Sequence, residues 1–268
     1  MNRVFTGIVL AIVGLGSVFE LHAYTVVIML IACGALMELQ ALTAKNGQPF
    51  VAPIAFVASL AYLFLAMVGS LARYEGVLLA LTMVVALAVS MFGERRGYLV
   101  RSAATVLAVL YVGKLLSYFI AIRREPVLGS ALTVLVIFLI AGTDIFAMLI
   151  GKNFGRTKLS PISPAKTVEG AVGGLIAAVV LGMVFAVGYP GYHLVYWQGA
   201  FLGAFTSIAA QVGDLVESAL KRDAVVKDAG TALRDHGGVL DRFDSYLFGG
   251  VGFYAALFLL ARLPTEYM

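Results

Sequence analysis

Charge is what this sequence has least of. Of its 268 residues 61% are hydrophobic and only 13% are charged, about half the usual share of a soluble chain. So few charges could not cover a soluble fold of this size. Cysteine is nearly absent as well. The single Cys33 excludes an intrachain disulfide and cannot build a thiolate metal site. There is no low-complexity linker to set off a soluble domain, and no internal repeat of the kind that marks many transporters. What remains is a set of long apolar runs. Several approach the roughly 20 residues needed to cross about 30 Å of hydrocarbon. They run continuously rather than alternating as barrel strands do.

The expected fold class is therefore all-α, a polytopic integral membrane protein, since helices satisfy their own backbone polar groups in lipid. Nine spans are expected, at about 4–20, 23–43, 51–71, 76–92, 99–122, 127–151, 168–188, 194–220 and 246–263. Arg3 and the following apolar run resemble a signal peptide, but no small-x-small cleavage site precedes "FELHAY", so a retained first helix is expected. With the N-terminus cytoplasmic, fourteen of the 19 Lys and Arg fall in the N-terminal tail and the even-numbered loops. That bias follows the positive-inside rule and puts the C-terminus outside. The net charge of +4 then reflects topology and anionic lipid or phosphate, not a nucleic-acid surface. One membrane domain, 1–268, is expected. Residues 1–125 form scaffold helices, and 126–268 hold the catalytic helices with cytoplasmic loops 152–168 and 221–244.

Chemistry concentrates in two stretches. In "AGTDIFAMLIGKNFGRTKLSPISPAKTVEG", residues 141–170, Asp144 lies inside a span, where a carboxylate costs about 2.5–3.5 kcal/mol and so faces a polar cavity or a partner. Lys114 of the fifth span is the candidate partner if Asp144 is merely structural. Beyond it come Lys152, Arg156, Lys158 and Lys166, interleaved with Thr157, Ser160, Ser163 and Thr167. Pro161 and Pro164 stiffen this loop. A stiff, cationic, hydroxyl-rich segment entering a helix suits phosphate oxygens. The glycines of "EGAVGG" and "GGVGF" are read first as close helix–helix packing.

The second stretch is "QVGDLVESALKRDAVVKDAGTALRDHGGVLDRFDS", residues 211–245. Gln211, Asp214, Glu217 or Ser218, and Lys221 or Arg222 recur at helical three- and four-residue steps. That polar face begins inside an apolar span. Asp241 and Asp244 share a face of the helix that follows. Asp214 and Asp241 are expected to meet at the membrane boundary, where clustered carboxylates require a cation between them. Oxygen ligands favour Mg²⁺ over zinc. Salt bridges with Lys221, Arg222, Lys227 and Arg242 are the competing reading. Carboxylates, Mg²⁺ and basic side chains are the equipment of phosphoryl or nucleotidyl transfer, here onto a lipid.

The run Ser218, Lys221-Arg222, Lys227-Asp228, His236-Gly237-Gly238, Asp241-Arg242 and Asp244 resembles the signature of phosphatidate cytidylyltransferases, the CDP-diacylglycerol synthases. "KLSPISPAKTVEG" and "QVGDLVES" resemble that family's upstream blocks. The chain departs from the pattern at Arg234-Asp235, where the family has Pro-Gly, and at Ala229, where it has Ser. The resemblance implies transfer of a cytidylyl group from CTP to phosphatidate, with Mg²⁺ and the option of a second cation, for phospholipid biosynthesis. It assigns Asp214 and Asp241 to metal, with Asp144 and Asp244 as further ligands. Lys221, Arg222 and His236 join Asp214 and Asp241 as catalytic. Ser160, Lys166, Thr167, Ser218, Lys227, Asp228, Gly237, Gly238 and Arg242 bind substrate. Partners would be CTP, phosphatidate and the bilayer, with a homodimer as an allowed assembly. The expected location is a bacterial-type inner or plasma membrane with the site at its cytoplasmic face. A CTP-dependent lipid kinase or a CDP-archaeol-type synthase is the enzymatic alternative, a catalytically inactive relative is another, and an ion-coupled transporter using Asp144, Lys114 and Asp214 is the alternative of another class.

Overall fold

The computed structural model describes residues 14–93, 96–188, 194–226, 229–230 and 238–261. Most of the first expected span lies outside them, as do Lys227, Asp228, Arg234, Asp235, His236 and Gly237. The elements are α1 (Leu21–Lys45), α2 (Ala52–Val68), α3 (Leu71–Ser90), α4 (Tyr98–Arg123), α5 (Gly129–Phe154), α6 (Val168–Gly188), α7 (Tyr196–Asp223) and α8 (Leu240–Leu260). No strand occurs among the described residues. Seven of these helices are long and apolar enough to cross a membrane, and Ala52–Val68 is a shorter apolar helix of 17 residues. The protein is an all-helical membrane protein.

Local chemistry sets the helix ends. The Glu20 carboxylate accepts the amides of His22 and Ala23 at the start of α1, and these bonds hold its carboxyl below its ordinary range. Pro53 opens α2, where a missing N–H costs nothing. Gly69, in the left-handed region at φ 75°, closes it. The last helix starts at Leu240, six residues before the expected span start at 246. Hydropathy places a span edge at the last charge, whereas the helix begins where its first amides find acceptors. Asp241 in the first turn favours that start through the helix dipole.

The chain divides into two compact units. The first comprises Met1–Pro126 and Leu220–Phe243, the second Val127–Ala219 and Asp244–Met268. In the first unit α2 packs against α1, α3 and α4, around fully buried Leu36, Tyr62, Leu63, Leu116 and Ile120. The middle of α4 widens into a π-helical turn, Val109–Lys114. Gly113 in that turn lies against α2 so closely that a Cβ would stand 2.5 Å from the Ser59 Cα. Lys114 pairs with Glu75 at 2.7 Å and lies 4.6 Å above the Tyr118 ring. Within this unit the partner of Lys114 is thus Glu75.

In the second unit α5 and α6 lie side by side. The glycines of "EGAVGG" make that approach: a Cβ at Gly170 would stand 2.6 Å from the Ala147 carbonyl oxygen, and one at Gly174 2.7 Å from that of Thr143. "GGVGF" behaves alike, with Gly252 against the Phe205 carbonyl oxygen. The packing reading of both glycine runs is the one observed.

Candidate active site

The loop between α5 and α6 is folded back on itself. Leu159 N–H donates to the Lys166 carbonyl at 3.0 Å and Val168 N–H to that of Thr157 at 2.9 Å, with Lys158 and Thr167 paired antiparallel. Ser160 Oγ accepts from Ile162 N–H at 3.2 Å and so serves the turn at Pro161. Thr167 Oγ1 accepts from Gly170 N–H at 3.2 Å and caps α6. The Glu169 carboxylate accepts the amides of Arg156 and Thr157 and ties the loop's first residues to the same helix start. A loop fixed at so many points delivers Lys166 to a definite place.

That place is a cavity of about 460 Å³ within the second unit, lined by Asp144, Ala147, Met148, Gly151 and Lys152 of α5, Leu159, Ser163, Ala165, Lys166 and Thr167 of the loop, Gly170 and Ala171 of α6, and Gln211 and Asp214 of α7. Lys166 Nζ and Asp214 Oδ2 pair at 2.5 Å. Asp144 Oδ1 accepts from Ser245 Oγ of α8 at 3.3 Å, and the charges of Asp214 and Lys166 both act on it. Gln211 Nε2 donates to the Ala171 carbonyl and to Ser207 Oγ, at 3.2 and 3.1 Å, fixing the rotation of α7 one turn before Asp214. Next to Asp214, Gly213 lets α8 approach: a Cβ there would stand 2.6 Å from the Asp244 carbonyl oxygen. Asp244 Oδ1 accepts the Ser245 amide at 2.6 Å. Ser218 is buried further along α7. Asp144, Lys166, Thr167 and Asp214 are therefore brought together, with Ser163 in place of Ser160.

The signature residues that are described in the first unit form a second cluster. Asp241 accepts Lys221 Nζ at 2.8 Å and the amides of Ala229 and Gly238 at 3.0 and 2.7 Å. Both side chains of that ion pair are largely buried. Arg222 Nη1 donates to the Val226 carbonyl. Arg242 follows Asp241 in the first turn of α8. Lys221 thus pairs with Asp241 in the first unit, and Lys166 with Asp214 in the second. One participant had no place in the expectations. Glu38 of α1, only 6% exposed, accepts the amides of Val239 and Leu240 at 2.9 and 2.8 Å. Its signal was available: it is a lone acid inside an apolar span, where ionisable groups almost always face a partner or a polar cavity.

A family model described as the cytidylyltransferase family matches residues 1–260. The chain belongs to the cytidylyltransferase family. Among curated relatives it is 44% identical over 130 residues to a phosphatidate cytidylyltransferase of Synechocystis sp., covering 47% of this chain and 42% of the relative. It is 49% identical over 111 residues to the one of Bacillus subtilis, covering 41% of each. It is 40% identical over 125 residues to the one of Helicobacter pylori, covering 47% and 46%. The matched stretch thus spans less than half the length of each of these relatives.

Any site for cytidylyl transfer must manage phosphate charge. The cavity offers two carboxylates, from Asp144 and Asp214, beside the ammonium groups of Lys152 and Lys166 and the hydroxyls of Ser163 and Thr167. Among the described residues no three His, Cys, Asp or Glu side chains converge as a ready-made metal cage. Two hard oxygen donors nonetheless fit Mg²⁺, which keeps waters and is held by one or two carboxylates plus substrate phosphates.

Proposed function

We propose that this chain transfers a cytidylyl group from CTP to phosphatidate, giving CDP-diacylglycerol and pyrophosphate. The observation that carries the reading is the cavity in which Asp144, Asp214, Lys166 and Thr167 meet, lined by residues of the apolar helices α5, α6 and α7. Family membership supports the same reaction class.

A phosphate monoester has its second pKa near 6, so phosphatidate arrives largely as a dianion at neutral pH. Its oxygen attacks the α-phosphorus of CTP. The bond from that phosphorus to the α–β bridging oxygen breaks, and pyrophosphate leaves with the electron pair. No strong general base is needed, and catalysis rests on in-line positioning and charge neutralisation. Lys166 exchanges Asp214 for phosphate oxygens, and Thr167 at the start of α6 orients them with help from the helix amides. Asp144 and Asp214 would hold Mg²⁺, which when bound supplies charge neutralisation between substrate phosphates. On the family resemblance, Arg222, Lys227 and Arg242 are further candidates to offset phosphate charge, and His236 with Gly237 and Gly238 to orient phosphate or ribose. The Lys and Arg content of the adjoining loops supports a cytoplasmic location for this chemistry.

The test uses purified chain, phosphatidate and CTP labelled at the α- or the γ-phosphorus, with Mg²⁺ and with chelator. Label from the α position enters the lipid in cytidylyl transfer. Label from the γ position in the lipid would instead mean a kinase.

A further inference from the structure

The loop that joins α7 to α8 is tied to α1 at both ends, within the first unit. At its start Asn46 Nδ2 donates to Asp223 Oδ2. At its end Glu38 accepts two successive amides, Val239 and Leu240. The preceding amide, Gly238, goes to Asp241. Two carboxylates thus take three consecutive N–H groups at the start of α8. Gly230 and Gly238 are both pressed onto Glu38. A Cβ at Gly230 would stand 2.6 Å from Glu38 Oε1, and one at Gly238 2.7 Å from its Cδ. One turn earlier on α1, Gly34 leaves room for Val239, whose Cγ2 would be 2.9 Å from an added Cβ. The same face of α1 therefore carries a gap for Val239 and an acceptor for its amide.

We infer that Glu38 is a positioning residue for the signature loop. It clamps the two described stems that flank residues 231–237, Ala229–Gly230 and Gly238–Leu240. The inference rests on the proposed transferase reading, in which those residues handle the nucleotide. It gives the N-terminal helices a part in the reaction through the loop rather than by touching substrate. A buried carboxylate serves better than a neutral cap because it accepts both amides and complements the helix dipole. Glutamine in its place keeps the volume but turns one acceptor into a donor facing an N–H.

The experiment compares the full chain with Glu38→Gln and Glu38→Asp, in lipid, by hydrogen exchange and by steady-state kinetics. In Glu38→Gln the amides of 229–230 and 238–241 should exchange about tenfold faster, with α5 and α6 unchanged. The kcat should fall about tenfold to a hundredfold while KM for phosphatidate stays as in the parent. Glu38→Asp, which keeps the charge but is a methylene shorter, should fall between parent and Gln in both readouts. Unchanged exchange at the stems in Glu38→Gln overturns the inference. So does faster stem exchange with an unchanged kcat, or exchange that rises throughout the chain in both variants. A parent chain that makes no CDP-diacylglycerol would overturn the transferase reading instead, and the stem exchange alone would then decide whether Glu38 holds the loop.

Discussion

Lys166 and Lys221 each neutralise one aspartate, and the two pairs differ in what surrounds them. Lys166 and Asp214 line an open volume with little else to hold them, so the lysine is free to trade its partner for a phosphate. Lys166→Met should lower CTP-dependent product formation about a hundredfold, in the range found for loss of a group that stabilises developing charge, with the protein still inserted and folded. Turnover by the radiolabel assay and thermal unfolding in detergent check the two halves of that statement. Asp241 instead is saturated by Lys221 and two amides, which marks the pair as part of the loop's frame. A double-mutant cycle of Lys221→Met and Asp241→Asn should show a coupling of about 0.5–3 kcal/mol in unfolding free energy. Strict additivity would contradict it. Asp144, Lys166 and Asp214 were legible because each breaks an apolar pattern or sits in a motif. Glu38 and Glu75 break the pattern too, but their partners lie far off in sequence or on another helix, and spacing carries no information about such contacts.

Helix packing decides whether that cavity exists. α5 and α6 approach through Gly170 and Gly174 facing backbone carbonyls, and a carbonyl cannot step aside as a flexible side chain can. Gly170→Ala should therefore destabilise the second unit by about 1–3 kcal/mol, the cost of overpacking a filled interface, and lower activity with it. Thermal unfolding of purified protein measures this, and an unchanged midpoint would show that the helices have room to part. By contrast Gly76 has no neighbour near an added Cβ among the described residues, and alanine there should be close to neutral. At this scale the apolar runs gave the helix positions well. They could not give the π-helical turn of α4, which depends on Gly113 meeting Ser59 on another helix. Nor could they give the early start of α8, which depends on acceptors supplied from α1.

Across the whole molecule, composition and the unbroken apolar runs were enough for an all-helical membrane protein, because so few charges exclude a soluble fold and the lack of alternation excludes barrel strands. The grouping of Leu220–Phe243 with the N-terminal helices has no local sequence signal. The orientation expected from the placement of Lys and Arg is open to direct test. α5 runs between Val127 and the loop bearing Lys158. In a Cys33→Ser background, Lys158→Cys should react with a membrane-impermeant thiol reagent only from the cytoplasmic side, and Val127→Cys only from the other. Labelling of both from one side would contradict α5 as a span, and the reverse pattern would invert the topology.

The most direct measurement of the central claim is label transfer from CTP carrying α-³²P to phosphatidate, by the full chain and by Asp214→Asn, with Mg²⁺ present. Labelled lipid from the full chain, reduced at least about a hundredfold in the variant, is the predicted result. An unlabelled lipid, or equal label from both proteins, would contradict it.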